Sequence, residues 1–264
     1  MNFLSRHSSF PKILLIFYCF KLRYGFSITK SNGYKQTSIF GYQIFFNSLS
    51  GFFNIFCEIF ISEDYKIDLK KKKPVIFDVG ANIGLTALYF HLLYPEAKIS
   101  TFEANPETQE ISLKNLEGIS NIKKYQTLLS NKIQRVNFFS SSQGALGASI
   151  HKSRAGINSK KIQLKTTKLS NFITKSIDLL KMDIEGSELS ILKDLHKTKK
   201  IKLIRNIIFE YHYIPNSVDN NLSEIIKILE NSNFIFHLLF DNINNHFSKK
   251  KFYTISFHAT KIKN

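Results

Sequence analysis

From residue 74 onward, short apolar runs alternate with segments of helical period, the pattern of an α/β domain built on a mostly parallel sheet. "VIFDVG" (75–80) reads as a buried strand. "LTALYFHLLYP" (85–95) follows, with Leu85, Leu88, Tyr89, Leu92 and Leu93 on one helical face before Pro95 ends it. "KISTFEAN" (98–105) predicts a second strand, "ETQEISLKNL" (107–116) a helix and "KKYQTLLSN" (123–131) a third strand. Between 133 and 168, further strand-like stretches surround a glycine-containing segment at 141–149, an insertion on the basic plan. "SIDLLKMDIEG" (176–186) is a fourth core strand, followed by a helix at 187–195, a fifth strand at 203–213 and a helix at 221–232. "NFIFHLLF" and "KFYTISFHAT" close the chain as two strands around a polar turn.

The first 57 residues follow a different pattern. They contain no Asp or Glu, six basic residues (Arg6, Lys12, Lys21, Arg23, Lys30 and Lys35) and fifteen of the chain's thirty-six aromatics. The longest apolar run there, "ILLIFYCF" (13–20), is far shorter than the roughly 20 residues a membrane-spanning helix needs. No small-residue cleavage pattern follows it, which argues against a secretory signal. The chain therefore divides into a basic, aromatic-rich extension (1–57) and one α/β domain (58–264). Two readings of the extension stay open: helices that cap the domain and bury their aromatics, or an amphipathic surface resting on anionic lipid. With only Cys19 and Cys57, no disulfide framework is implied, and a cytoplasmic protein is expected, one that the second reading would place peripherally at the inner membrane face. The net charge of +17 fits nucleic acid, an anionic membrane or an acidic substrate without choosing among them.

The first strand-to-helix turn, "DVGANIG", carries the candidate chemistry. Gly80 and Gly84 permit tight turning and close ligand approach, and the following helix offers unpaired N–H groups to a negative group. Asn82 stands where the dinucleotide fingerprint has its second glycine, so the turn suits a carboxylate better than a pyrophosphate. S-adenosylmethionine (SAM) presents such a carboxylate. Glu103 closes the second strand nineteen residues after Gly84, about the offset at which an acid accepts hydrogen bonds from ribose hydroxyls. At the fourth strand "KMDIEG" sets Asp183 and Glu185 beside the same cleft, where charged groups after an apolar run are costly unless paired or solvated.

"FDVGANIG", "FEANPE", "LLKMDIEGSEL" and "IIFEYHY", in this order and spacing, resemble the FkbM-type family of SAM-dependent methyltransferases, and "EIFISEDY" (58–65) resembles the segment that often precedes its first motif. The resemblance covers roughly residues 58–240. It implies a class I SAM-dependent methyltransferase fold, Rossmann-like, with a seven-stranded, mostly parallel sheet, helices on both faces and an antiparallel last hairpin, and it implies O-methylation, frequently of sugar hydroxyls in a glycan, glycolipid or related metabolite. Carried onto this chain, Asp78, Gly80, Ala81, Asn82 and Gly84 would hold the amino-acid end of SAM, Glu103 its ribose with Asn105 beside it, and Ser130 would sit near the adenine. Asp183 and Glu185 would face the methyl donor.

Methyl transfer from a sulfonium is an in-line displacement, so most of the catalysis can come from positioning, with a base adding about 10² to 10⁴ in rate. The candidate bases are Asp183, Glu185, Glu210 and His212, with Asp183 or Glu210 the expected base, and no metal-ligand set is assigned. Two rivals remain. A nucleic-acid methyltransferase would suit the charge, but an amino-group enzyme of that kind shows an Asn/Asp-Pro-Pro-aromatic stretch after the fourth strand where this chain reads "DIEG", so nucleic acid is not the expected partner. A non-catalytic SAM-binding module at the membrane surface is the other.

Overall fold

The structure, a computed structural model, describes residues 10–25, 28–31, 33–140, 159–184, 186–213, 221–240 and 253–262. Its centre is a seven-stranded sheet. In chain order the strands are β4 (Val75–Val79), β5 (Lys98–Glu103), β6 (Ile122–Gln126), β10 (Leu179–Met182), β11 (Asn206–Tyr213), β12 (Phe234–Phe240) and β13 (Tyr253–Lys261). They lie side by side as β12-β13-β11-β10-β4-β5-β6, and all pairings are parallel except those of β13. This is the strand order of the class I SAM-dependent methyltransferase fold. The order turns back between β4 and β10, so the connections that leave the carboxyl ends of those two paired strands run in opposite directions and leave the crevice where ligands of open α/β sheets bind.

Helices α3 (Leu85–Leu93), α4 (Pro106–Asn115), α5 (Glu188–Lys197) and α6 (Leu222–Asn231) supply the crossovers. Their starts are set by local chemistry. Asn105 caps α4, its side chain accepting from the Glu107 amide at 3.2 Å with Pro106 in the first turn. Asn221 caps α6 the same way through the Glu224 amide. Two buried clusters cover the faces of the sheet. One includes Ile76, Leu88, Tyr89 and Ile99 together with Phe10, Leu22, Phe46 and Phe56, so the extension is packed onto the domain. The other centres on Val79, Leu180, Ile191, Phe209 and Phe257.

The extension contains more than the helices that one reading foresaw. Between α1 (Lys12–Arg23) and α2 (Leu49–Phe56) lies a three-stranded antiparallel sheet of β1 (Thr29–Ser31), β2 (Tyr34–Ile39) and β3 (Tyr42–Phe46). Its second turn is Phe40-Gly41, both residues at positive φ (50° and 85°), the backbone a tight two-residue hairpin demands. The third core strand is also shorter than its apolar pattern implies. It breaks at Thr127, and β7 (Leu128–Leu129) leaves to pair with β9 (Lys160–Thr167), itself paired to β8 (Arg135–Ser140). The glycine-containing segment 141–149 lies outside the described residues.

Candidate functional site

The turn after β4 is built around its glycines. Gly80 has φ +78°, and a Cβ there would stand 1.7 Å from the Asp183 carbonyl oxygen, so the turn runs directly against the end of β10. Gly80 and Ala81 donate their amides to the Phe102 carbonyl at 2.9 and 3.1 Å, tying the turn to β5 as well. Gly84, at φ +88°, is the N-terminal cap of α3. Asn82 also lies in the left-handed region, at φ 52°, a conformation Asn tolerates better than most residues. Its amide donates to Glu103 Oε2 at 2.9 Å, while the Asn105 amide donates to Oε1 at 2.8 Å. Glu103 is therefore gripped from both sides. Burial pushes its carboxyl above the ordinary value, and the two backbone amides oppose that shift.

Around this turn opens a cleft of about 960 Å³, counting its open mouth. Gly80, Asn82 and Glu103 line one part of it, Leu128, Phe138 and Ile184 give it apolar walls, and Glu58, Tyr65 and Asp183 stand at the β10 side. The donor set suits SAM: an acid for a vicinal diol, an apolar slot for an aromatic base, and the N-terminus of α3 for a carboxylate.

Behind the glycine turn lies a buried charge cluster. The Lys181 ammonium, on a side chain 2% exposed, pairs with Asp78 at 3.3 Å and donates to the Gly80 carbonyl at 2.8 Å. It also sits 5.2 Å from the centre of the Tyr65 ring. Burial works against its charge, yet Asp78, Asp183 and Glu210 together hold its pKa above the ordinary value. Farther along β10 and β11, Asp183, Glu210 and His212 each bring one polar atom to within 4.8 Å of the others. Glu188, at the start of α5, meets His212 Nδ1 at 3.1 Å; burial alone would raise this carboxyl, but the histidine holds it below its usual range. Burial, reinforced by Asp183 and Glu58, pushes the Glu210 carboxyl up to about 8. Tyr65, Glu188 and Lys181 thus already serve Glu210, His212 and the adjoining carboxylates.

The structure brings Gly80, Asn82, Glu103 and Asp183 together at the cleft. Asp78 is fully buried behind the turn, and Ala81 is buried with it. Asn105 is also buried, its side-chain oxygen accepting from Glu107 N and Ser140 Oγ. Ser130 follows β7 out of the central sheet, its amide donating to the Thr167 carbonyl, and Thr127, Leu128 and Leu129 line the cleft in its neighbourhood. Glu185 lies outside the described residues. Sequence reasoning did not single out Glu58, Tyr65, Lys181 or Glu188 as site residues. Lys181 had a signal, a lysine inside a buried strand, which must have a partner.

Similarity to known proteins agrees with this geometry. Residues 78–236 match the family described as "Methyltransferase FkbM domain". Methyltransferase sdnD of Sordaria araneosa is 28% identical over 191 residues, covering 59% of this chain and 73% of that protein. The 2-O-methyltransferase NoeI of Sinorhizobium fredii is 26% identical over 141 residues, 47% of this chain and 58% of that one. Among solved structures, the methyltransferase FkbM of Methylobacillus flagellatus superposes with a TM-score of 0.46 at 15% identity, over 71% of this chain and 44% of the other. With a glycine turn, a gripped acid on the next strand and a family match over residues 78–236, the chain belongs to the FkbM family of SAM-dependent methyltransferases.

Proposed function

We propose that this methyltransferase acts on a hydroxyl, on a sugar of a glycan, glycolipid or related metabolite. The observation that carries the reading is the convergence of Glu210 and His212 on Asp183, which itself lines the cleft at its β10 side: two carboxyls and an imidazole near where a proton has to be taken from an attacking oxygen. The 2-O-methyltransferase relative supports oxygen as the acceptor atom, and the family resemblance supports a sugar. SAM supplies an electrophilic methyl group. The chain's part is to hold it: Glu103 for the ribose hydroxyls, Leu128 and Phe138 along the base, and the Gly80–Asn82 turn with the α3 N-terminus for the amino-acid end. Asp183 or Glu210 is the group that receives the acceptor's proton.

Incubation with methyl-labelled SAM and fractionated lysate tests the substrate class. Label in a glycan or glycolipid fraction is expected; label in nucleic acid alone would overturn the reading. Within the site, Asp183→Asn or Glu210→Gln is expected to lower kcat by about 10² to 10⁴ with SAM affinity little changed. If both variants turn over at the full rate, neither carboxyl is the base.

A second reading concerns where the enzyme works, and α1 favours it. Leu15, Tyr18 and Leu22 bury one face of this helix in the core, while Ile13 (81%), Ile16 (67%) and Phe17 (58%) are exposed on the other. With no acidic residue in positions 1–57, that apolar face suits an anionic bilayer surface, with the charges of Lys21 and Arg23 near the headgroups. No helix among the described residues is long and apolar enough to cross a membrane. The enzyme is expected to float with vesicles of phosphatidylcholine and phosphatidylglycerol but not with phosphatidylcholine alone, and the Ile13→Ser/Phe17→Ser double variant to stay at the bottom. Equal flotation of the variant, or none by the wild type, makes α1 a structural cap only.

A further inference from the structure

The segment that precedes the first motif, "EIFISEDY" (58–65), supplies two polar side chains to the cleft, Glu58 and Tyr65. Its first four residues belong to a π-helical turn, Cys57–Ile61, closed by Ser62 N donating to the Cys57 carbonyl at 2.8 Å, an irregularity that recurs at functional sites. The turn places Glu58 in the cleft wall, and Tyr65 joins it there. The Tyr65 hydroxyl lies 2.8 Å from Glu58 Oε1 and 2.9 Å from Glu210 Oε1, although Glu210 is 145 residues away in the chain.

A phenol has one hydrogen to donate. If both carboxyls were ionised, one of these two contacts would set two lone pairs face to face with no hydrogen between them, beside a side chain that is itself only 2% exposed. A second hydrogen, besides the phenol's own, is therefore needed between the three groups, and one of the two carboxyls carries it. We infer that Glu58, Tyr65 and Glu210 form a proton relay that serves the methyl transfer, holding one proton between two carboxyls and conducting the acceptor's proton from Glu210 through Tyr65 to Glu58.

At neutral pH the shared proton rests mainly on Glu210, the carboxyl that burial pushes up to about 8. In the arrangement competent for transfer it has moved through Tyr65 to Glu58, which donates to the Tyr65 oxygen while Tyr65 donates to ionised Glu210. When the acceptor oxygen bonds to the methyl group, its O–H bond breaks and that proton passes to Glu210. Glu58, only partly buried, then gives its own proton to solvent. Glu210 hands its proton to the tyrosine oxygen as Tyr65 passes its hydrogen to Glu58, restoring the starting arrangement. The net change is one proton released per methyl transferred. Groups facing the relay are Asp183 and Lys181 from the β10 end, Asp64 beside Tyr65, His212 on β11 and Glu188 behind it; the register neighbour of Glu210 on β13 is the neutral Ser256. Burial raises Glu58 as well as Glu210, which keeps a shared proton in place at neutral pH.

The relay rests on Glu210 handling a proton, and its test separates the two ideas. The SAM-free protein is expected to show the infrared C=O stretch of a protonated carboxylic acid at pH 7, lost from Glu58→Gln/Glu210→Gln. In the loaded enzyme Tyr65→Phe and Glu58→Gln are expected to lower kcat by about 10² and shift the acid limb of its pH profile, with KM for SAM unchanged. Gln at 58 can still hydrogen-bond Tyr65 but cannot relay a proton, so loss there with unchanged thermal stability marks conduction and not packing. If Glu210→Gln is slow while Glu58→Gln and Tyr65→Phe keep wild-type rates and profiles, the relay is overturned and Glu210 remains the base. If all three turn over at the full rate, or no protonated carboxyl is seen at pH 7, the relay is overturned as well.

Discussion

Gly80→Ala is expected to abolish SAM binding and to destabilise the protein more than any other single methyl group added in the turn. The new Cβ would lie 1.7 Å from the Asp183 carbonyl oxygen and 2.8 Å from the Asp183 carbonyl carbon, both backbone atoms of β10's exit. No rotamer change relieves such a contact; either the glycine turn or the strand end has to move. The left-handed φ of +78° adds its own penalty for a residue with a side chain. Overpacking and backbone strain together come to about 2–6 kcal/mol. Gly84→Ala is the control. Its Cβ would meet Ser112 Oγ at 2.9 Å and Leu116 side-chain atoms at 3.0 Å, groups that can give way, so its cost is expected to stay near the lower end of that range. Urea unfolding of the two variants measures the difference. A Gly84→Ala variant less stable than Gly80→Ala would mean the turn does not pack against β10 as described.

The second large effect is at Lys181. Its ammonium pairs with the buried Asp78 carboxylate at 3.3 Å, and the Asp78 oxygens have no other hydrogen-bond partner among the described residues. Lys181→Met fills the same space without the charge and leaves Asp78 buried and uncompensated. Breaking a buried pair from one side costs about 3–5 kcal/mol, which for a chain of this size is a fall in Tm of about 10 °C. Removing both charges, in Asp78→Asn/Lys181→Met, is expected to recover most of that stability, because a neutral pair has no ion to desolvate. Activity is expected to stay low in both, since the Gly80 carbonyl loses its donor and the carboxyls of Asp183 and Glu210 lose their counter-ion. A single variant as stable as the wild type would show that Asp78 is not held as an ion.

The strand-turn-helix units were legible because each is local: "VIFDVG" is apolar through a strand's length, and α4, expected over 107–116, runs from Pro106 to Asn115 behind its Asn105 cap. The turn and its acid were legible for the same reason, since Gly80, Asn82 and Glu103 sit at the ends of successive parallel strands and the register of β4 on β5 brings them side by side. What the sequence hid depends on distant chain segments. Nothing in "EIFISEDY" indicates that Tyr65 will reach Glu210, or in "SEL" that Glu188 will hold His212. Ser130 illustrates a different limit. The apolar run through Leu129 reads as one strand, but β9 competes for Leu128 and Leu129 as a pairing partner and draws the chain out of the central sheet. The sheet in the extension hides in the same way, its aromatic residues fitting a helix face as readily as a strand until Phe40-Gly41 turns the chain.

The most direct measurement is a calorimetric titration of SAM into the wild-type protein and into Glu103→Ala. Glu103 lines the cleft at the end of β5 and is the partly buried acid the ribose hydroxyls would meet. Hydrogen bonds to a charged group contribute about 1.5–3 kcal/mol, so the variant is expected to bind about a hundredfold more weakly while keeping the wild-type circular dichroism spectrum. Equal affinity in the two proteins, with both folded, would contradict the placement of SAM in this cleft.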